Sequence, residues 1–169
     1  MRFIGTIFVC LATLGLAGCA SKEPTTNEVI EDQLSGPEFR TVETDQGVVV
    51  MLVNPLLFAF DSDELTEESR NPIAYIARVL NTPGVQSRQV HVNGYSDSVG
   101  NEDYNLDLSR RRAEAVAKEL VYNQVAAERV LYNSFGEANP IAPNVTDDGS
   151  DNPEGRTLNR RVEIVILNP

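Results

Sequence analysis

At 169 residues, with 25 acidic against 14 basic side chains, the chain carries a formal charge of −11 at pH 7. So acidic a surface is repelled by phosphates, which excludes nucleic acid and a polybasic membrane patch as partners. One histidine and two cysteines leave little material for a metal cluster or for a serine or cysteine catalytic set, so the sequence reads as a binding module and not an enzyme.

The N-terminus has the order of a secretory signal: Arg2, an apolar run of 14 residues from Phe3 to Leu16, then small residues before Cys19. The run is too short for a membrane span, which needs roughly 20 apolar residues. Leu16-Ala17-Gly18-Cys19 resembles the bacterial lipobox. That resemblance implies cleavage before Cys19, acylation of the new N-terminus (palmitate among the chains) and a mature chain of residues 19–169. Cleavage removes Arg2, leaving 13 basic against 25 acidic residues. Several acyl chains anchor firmly where one does not. Ala20 and Ser21, with no Asp after the cysteine, resemble the sorting pattern of lipoproteins bound for the outer membrane, with the domain in the periplasm. Cys10 lies in the discarded segment, so no disulfide holds the exported domain together.

Residues 20–38 are polar and punctuated by Pro24, Gly36 and Pro37. They read as a tether with one helical turn around Glu28–Leu34, which places a linker over 19–39 and the domain over 40–169. Fully extended, about 20 such residues reach roughly 70 Å. The β-branched run 47–53 and the apolar run 56–60 read as strands. Ile73, Ile76, Ala77 and Leu80 define the buried face of a helix over 66–80, capped by Thr66. Pro72 lies beyond its first turn and demands either a kink or a later start near Ser69. Residues 90–95 alternate as a strand. Leu108, Arg112, Ala113, Val116, Ala117 and Leu120 line a second helix ending near Tyr122. A helical turn at 126–130, a strand at 131–135, a surface loop at 139–154 and a final strand at 162–167 complete the chain. Strands alternating with helices predict an α/β sandwich.

Asp97 falls just past a strand end, where ligands of such sheets sit. Arg112, on the following helix, is placed to return toward it. A carboxylate beside a guanidinium suits a zwitterion: the acid takes an ammonium, and the planar fork of Arg takes a carboxylate. On spacing alone, a structural salt bridge joining loop to helix is the simpler reading. Asp61-Ser62-Asp63 reads as a helix-capping loop at a pocket edge. Aligned on Gly149, the run Asp147–Asp151 puts Gly155 where an EF-hand needs its bidentate Glu, which rejects that motif. His91 sits on an alternating strand and reads as a sheet-face residue.

Four motifs occur in one order: Phe58-Ala59-Phe60-Asp61-Ser62-Asp63; Gly94-Tyr95-Ser96-Asp97 with Gly100; Tyr104-Asn105 followed by Leu108-Ser109 and Arg112-Ala113; and Asn159-Arg160-Arg161-Val162-Glu163. Together they resemble the OmpA-like C-terminal domain family over about residues 47–167. The resemblance implies a βαβαβ-type domain with a mixed sheet packed against helices. It also implies non-covalent binding of peptidoglycan through the diaminopimelate of the stem peptide, with no cofactor. Asp97 matches the family's acidic contact and Arg112 its arginine, while Asp63, Asn105 and Arg160 match more variable pocket positions. The function implied is a tether between outer membrane and cell wall; the alternative is an accessory lipoprotein of an envelope or secretion complex, bound to a protein partner. Ser96 stands where many members have Thr, and Asp147–Glu154 reads as an insertion near the pocket.

Overall fold

The computed structural model describes residues 25–36, 39–53, 57–59 and 62–169. The expected signal peptide lies outside the described residues, as do Cys19, Phe60 and Asp61. In chain order the elements are helix α1 (Thr26–Gln33), strands β1 (Arg40–Thr44) and β2 (Gly47–Val53), helix α2 (Glu67–Leu80), strand β3 (Val90–Gly94) and helix α3 (Glu102–Tyr122). They are followed by a 3-10 turn (Ala127–Arg129), strand β4 (Val130–Ser134), helix α4 (Pro153–Asn159) and strand β5 (Arg161–Leu167). The strands form one mixed sheet in the order β1-β2-β5-β3-β4. β3 and β4 are parallel, and β5 inserts antiparallel between β2 and β3. The expected βαβαβ unit, β2-α2-β3-α3-β4, is therefore present, with β1 and β5 added around it.

Alternation builds the core. Val48, Val50, Val90, Val92, Ile164 and Ile166 are all fully buried, together with Ile73, Ile76 and Leu80 of α2 and Val116 and Leu120 of α3. His91 lies in register between Val165 and Leu131 and is half-buried, a sheet-face residue as expected.

Several elements depart from the sequence reading. The stretch read as a tether with one helical turn around Glu28–Leu34 holds a full helix there, α1, and its Ile30 and the C-cap residue Leu34 are fully buried in the core. The compact part therefore begins at α1 and not at Arg40. A capping box of Thr25 and Glu28 starts the helix. The Asn27 side chain pins it, donating to Glu43 Oε1 (2.8 Å) and Asn168 Oδ1 (3.0 Å) and accepting from Arg88 Nη1 (2.6 Å). Arg129 is likewise buried, with its guanidinium donating to the carbonyls of Arg88, Leu80 and Val85. Of the strand expected at 56–60, Leu57–Ala59 shows only an isolated bridge between Phe58 and Leu65; the rest lies outside the described residues. β1, with the polar sequence Arg-Thr-Val-Glu-Thr, was not expected. α2 starts at Glu67 with Thr66 accepting from the Ser69 N–H, and Pro72 lies inside it, so the later start near Ser69 is not taken.

Candidate functional site

The site forms at the carboxyl end of β3. Gly94 closes that strand, and a Cβ there would lie 2.0 Å from the Ser109 carbonyl oxygen. Only glycine lets the backbone of α3 approach the strand end so closely. Asn101 caps α3 seven residues before Leu108, the first position of the expected helical face, accepting from the Tyr104 N–H. The Ser96 N–H donates to the Gly136 carbonyl (2.7 Å), and the Gly136 N–H donates to Ser109 Oγ (3.0 Å). These bonds knit the β3–α3 loop, α3 and the loop after β4 into one frame. Beneath it the ring of Tyr95 stacks on Phe135 at 5.1 Å, with the Arg161 guanidinium 3.8 Å from the Tyr95 centroid. Burial, aided by the charge of Glu163, pushes the Tyr95 phenol up from 10.0 to about 12.

Asp97 is 8% exposed. Its Oδ1 accepts from the Val99 N–H (3.0 Å), and its Oδ2 accepts from Arg160 Nη1 (2.6 Å). Arg156 Nε stands 3.8 Å from that same Oδ2. Arg112 is 5% exposed; its Nε donates to the Ser62 carbonyl (3.1 Å), and its guanidinium lies 5.2 Å from the Phe58 centroid. The expected placement of Asp97 next to Arg112 is corrected accordingly. Among the described residues, the guanidiniums within 4 Å of Asp97 are those of Arg160 and Arg156. The reason is positional: α4 delivers its arginines directly over the strand end, whereas Arg112 is held by the loop before α2. That loop also places Asp63 3.4 Å from Arg111 Nε. Asn105 is 1% exposed and donates to Glu137 Oε2 (3.1 Å).

Sequence reasoning missed α4 and with it Arg156. The signal was present as Asn152-Pro153, an N-cap residue followed by proline at the first helical position. In the structure Asn152 accepts from the Gly155 N–H. Asn159, 1% exposed, clamps the far end of the helix: its Oδ1 accepts from the N–H groups of Ile141 and Ala142, and its Nδ2 donates to the Ala142 carbonyl and Asn144 Oδ1. The stretch read as an insertion thus leads into a helix fixed over the site, and Asp151 within it pairs with Arg156 Nη1 (2.5 Å). Among the described residues no group of His, Cys, Asp or Glu could hold a metal ion, and no helix is long and apolar enough to cross a membrane.

A protein-family model described as the OmpA family matches residues 57–153. The chain belongs to the OmpA family. It is 36% identical over 157 residues to the outer-membrane lipoprotein YfiB of Pseudomonas aeruginosa, covering 90% of this chain and 86% of that one. It is 33% identical over 138 residues to the peptidoglycan-associated lipoprotein of Mesorhizobium japonicum, covering 82% and 79%. The photosystem I P700 chlorophyll a apoprotein A2 of Gloeobacter violaceus is 37% identical over 129 residues, which is 76% of this chain, but the chain spans only 15% of that protein's length. Among solved structures, the cell wall anchor of the T6SS from Pseudomonas aeruginosa superposes with a TM-score of 0.68 at 26% identity, covering 88% of this chain and 100% of that one. The mixed sheet and its helices are thus the OmpA-like fold.

Proposed function

We propose that this OmpA-family domain binds peptidoglycan non-covalently, gripping the free ammonium and carboxylate of a stem-peptide diaminopimelate. The observation that carries the reading is Asp97, a carboxylate nine-tenths buried at a strand end and flanked by guanidiniums. Such a group offers a desolvated acceptor to an ammonium, and Arg112 and Arg160 offer planar donors to a carboxylate. In this reading Asn105, held by Glu137, and Asp63, held by Arg111, are further contacts for the ligand. Relatives named as peptidoglycan-associated and as a cell wall anchor support the same ligand. Acylation at Cys19 gives the other end of the link, so the protein ties the outer membrane to the wall. With α1 docked, the six residue steps from Cys19 to Thr25 reach at most roughly 20 Å, not the 70 Å of a free tether, and the domain works close to its membrane. The test is competition: the protein pelleted with purified sacculi should be released by a soluble tripeptide ending in free diaminopimelate. It should not be released by the same peptide ending in lysine. Equal release by both would refute recognition of diaminopimelate.

A further inference from the structure

Two guanidiniums contend for one carboxylate oxygen. Arg160 Nη1 holds Asp97 Oδ2 at 2.6 Å, and Arg156 Nε stands 3.8 Å from the same atom. That Nε is buried and has no hydrogen-bond partner. A buried donor without an acceptor is unfavourable, and at 3.8 Å the acceptor beside this one, held by Arg160, lies just beyond hydrogen-bond distance. Arg156 is otherwise well held. Its Nη1 donates to Asp151 Oδ1 at 2.5 Å, and its carbonyl accepts from the Arg160 N–H at 3.0 Å. Arg160 is the more exposed of the two side chains, at 32% against 22%, and its second hold is the hydroxyl of Thr157. If Arg160 swings outward, the Nε of Arg156 is the group poised to close on Oδ2.

We propose that Arg156 is a positioning residue for Asp97: when a ligand carboxylate draws Arg160 away, Arg156 Nε takes over Oδ2. Asp97 is then never left buried without a countercharge, and it stays oriented for the ligand ammonium. One guanidinium hands over to another, so the exchange changes no net charge inside the pocket. The proposal rests on the reading of the pocket as an ammonium–carboxylate site. The other charged groups around this strand end are engaged elsewhere among the described residues: Arg112 on Ser62, Arg111 on Asp63 and Asp107, Glu137 on Asn105, Arg161 on Glu163, and Asp151 on Arg156.

The experiment reads the Arg156 Nε–H by proton–nitrogen NMR in the ligand-free full chain in detergent micelles, with its signal assigned by its loss in Arg156→Lys. In the wild type this N–H has no acceptor. In Arg160→Gln it should move downfield, because Asp97 Oδ2 becomes its acceptor, and in Arg160→Gln combined with Asp97→Ala it should return upfield. An unmoved signal in Arg160→Gln, or a downfield shift that persists without the Asp97 carboxylate, would overturn the proposal. Should the double variant not fold, the coupling across the hydrogen bond between Arg156 Nε and the Asp97 carboxyl carbon in Arg160→Gln decides: it should appear there, and its absence overturns the takeover. None of these readings needs the ligand. Signals as expected, together with no binding of the wild type to sacculi, would sink the pocket's proposed function and leave the positioning of Asp97 intact.

Discussion

Replacing Ile30 by alanine tests whether the domain truly starts at α1. Ile30 and Leu34 are both fully buried in the shared core. Truncating a buried isoleucine removes apolar contact and leaves a cavity, a loss of about 2–5 kcal/mol. α1 has eight residues and is too short to persist without its packing. It can settle partly into the space, which places the loss in the lower half, about 2–3 kcal/mol. In a domain of this size, 1 kcal/mol moves the melting temperature by about 2–4 °C, so Ile30→Ala should melt roughly 5–10 °C lower. Val29→Ala on the same helix is the control. Val29 is 39% exposed, and its loss should stay within about 0.5 kcal/mol. Circular dichroism melts of the two variants read the difference directly. Equal melting would mean that α1 does not belong to the core and that residues 20–38 are the free tether suggested by their composition.

Three further outcomes are expected. Asn159→Ala removes the clamp on α4 and takes their shared acceptor from the N–H groups of Ile141 and Ala142, on a partly exposed loop, so denaturant unfolding should show a loss of about 1–2 kcal/mol; a loss under about 0.5 kcal/mol would mean that α4 is held by other contacts. The Tyr95 phenol titrates near 12 in the folded chain against 10.0 when unperturbed. Its raised value favours the neutral form, so its contribution is complete below about pH 10 and is lost as pH rises through about 12. Urea midpoints should fall over that window in the wild type, and less steeply in Tyr95→Phe; parallel curves would contradict the assignment. Cys19→Ser should move the protein from the membrane to the soluble periplasmic fraction, and retention on the membrane would refute the lipid anchor.

The sequence was legible where the apolar pattern is strong. β3 and the apolar face of α2 were read almost to the residue because their side chains divide between core and surface with period 2 or 3.6, and β2 and β5 because they are β-branched, apolar runs. α4 was not, and α1 only as a single helical turn inside a tether, for a common reason. Each is one or two turns long, with few apolar residues, and each is held by long-range partners that no local pattern encodes. Asn27 reaches Arg88 and Asn168, and Asn159 reaches the loop at 141–144. β1 escaped because its polar alternation is that of an edge strand whose pairing with β2 supplies the order. At the site, the positions came from motif resemblance and the pairing did not. Asp97 meets Arg160, Arg112 meets the Ser62 carbonyl, Asp63 meets Arg111 and Asn105 meets Glu137, but spacing alone could not say that Arg160 at the end of α4, and Arg156 behind it, would reach Asp97 in place of Arg112.

The most direct test of wall binding is co-sedimentation of the protein with purified sacculi, wild type beside Asp97→Ala and Arg112→Ala. Losing one partner of a desolvated charge contact weakens binding by about 2–5 kcal/mol, or at least roughly 30-fold. The wild type should pellet with the sacculi, and each variant should stay largely in the supernatant with its melting curve still cooperative. Pelleting of both variants at the wild-type level would show that Asp97 and Arg112 only hold the fold together and that the wall, if bound at all, is bound elsewhere.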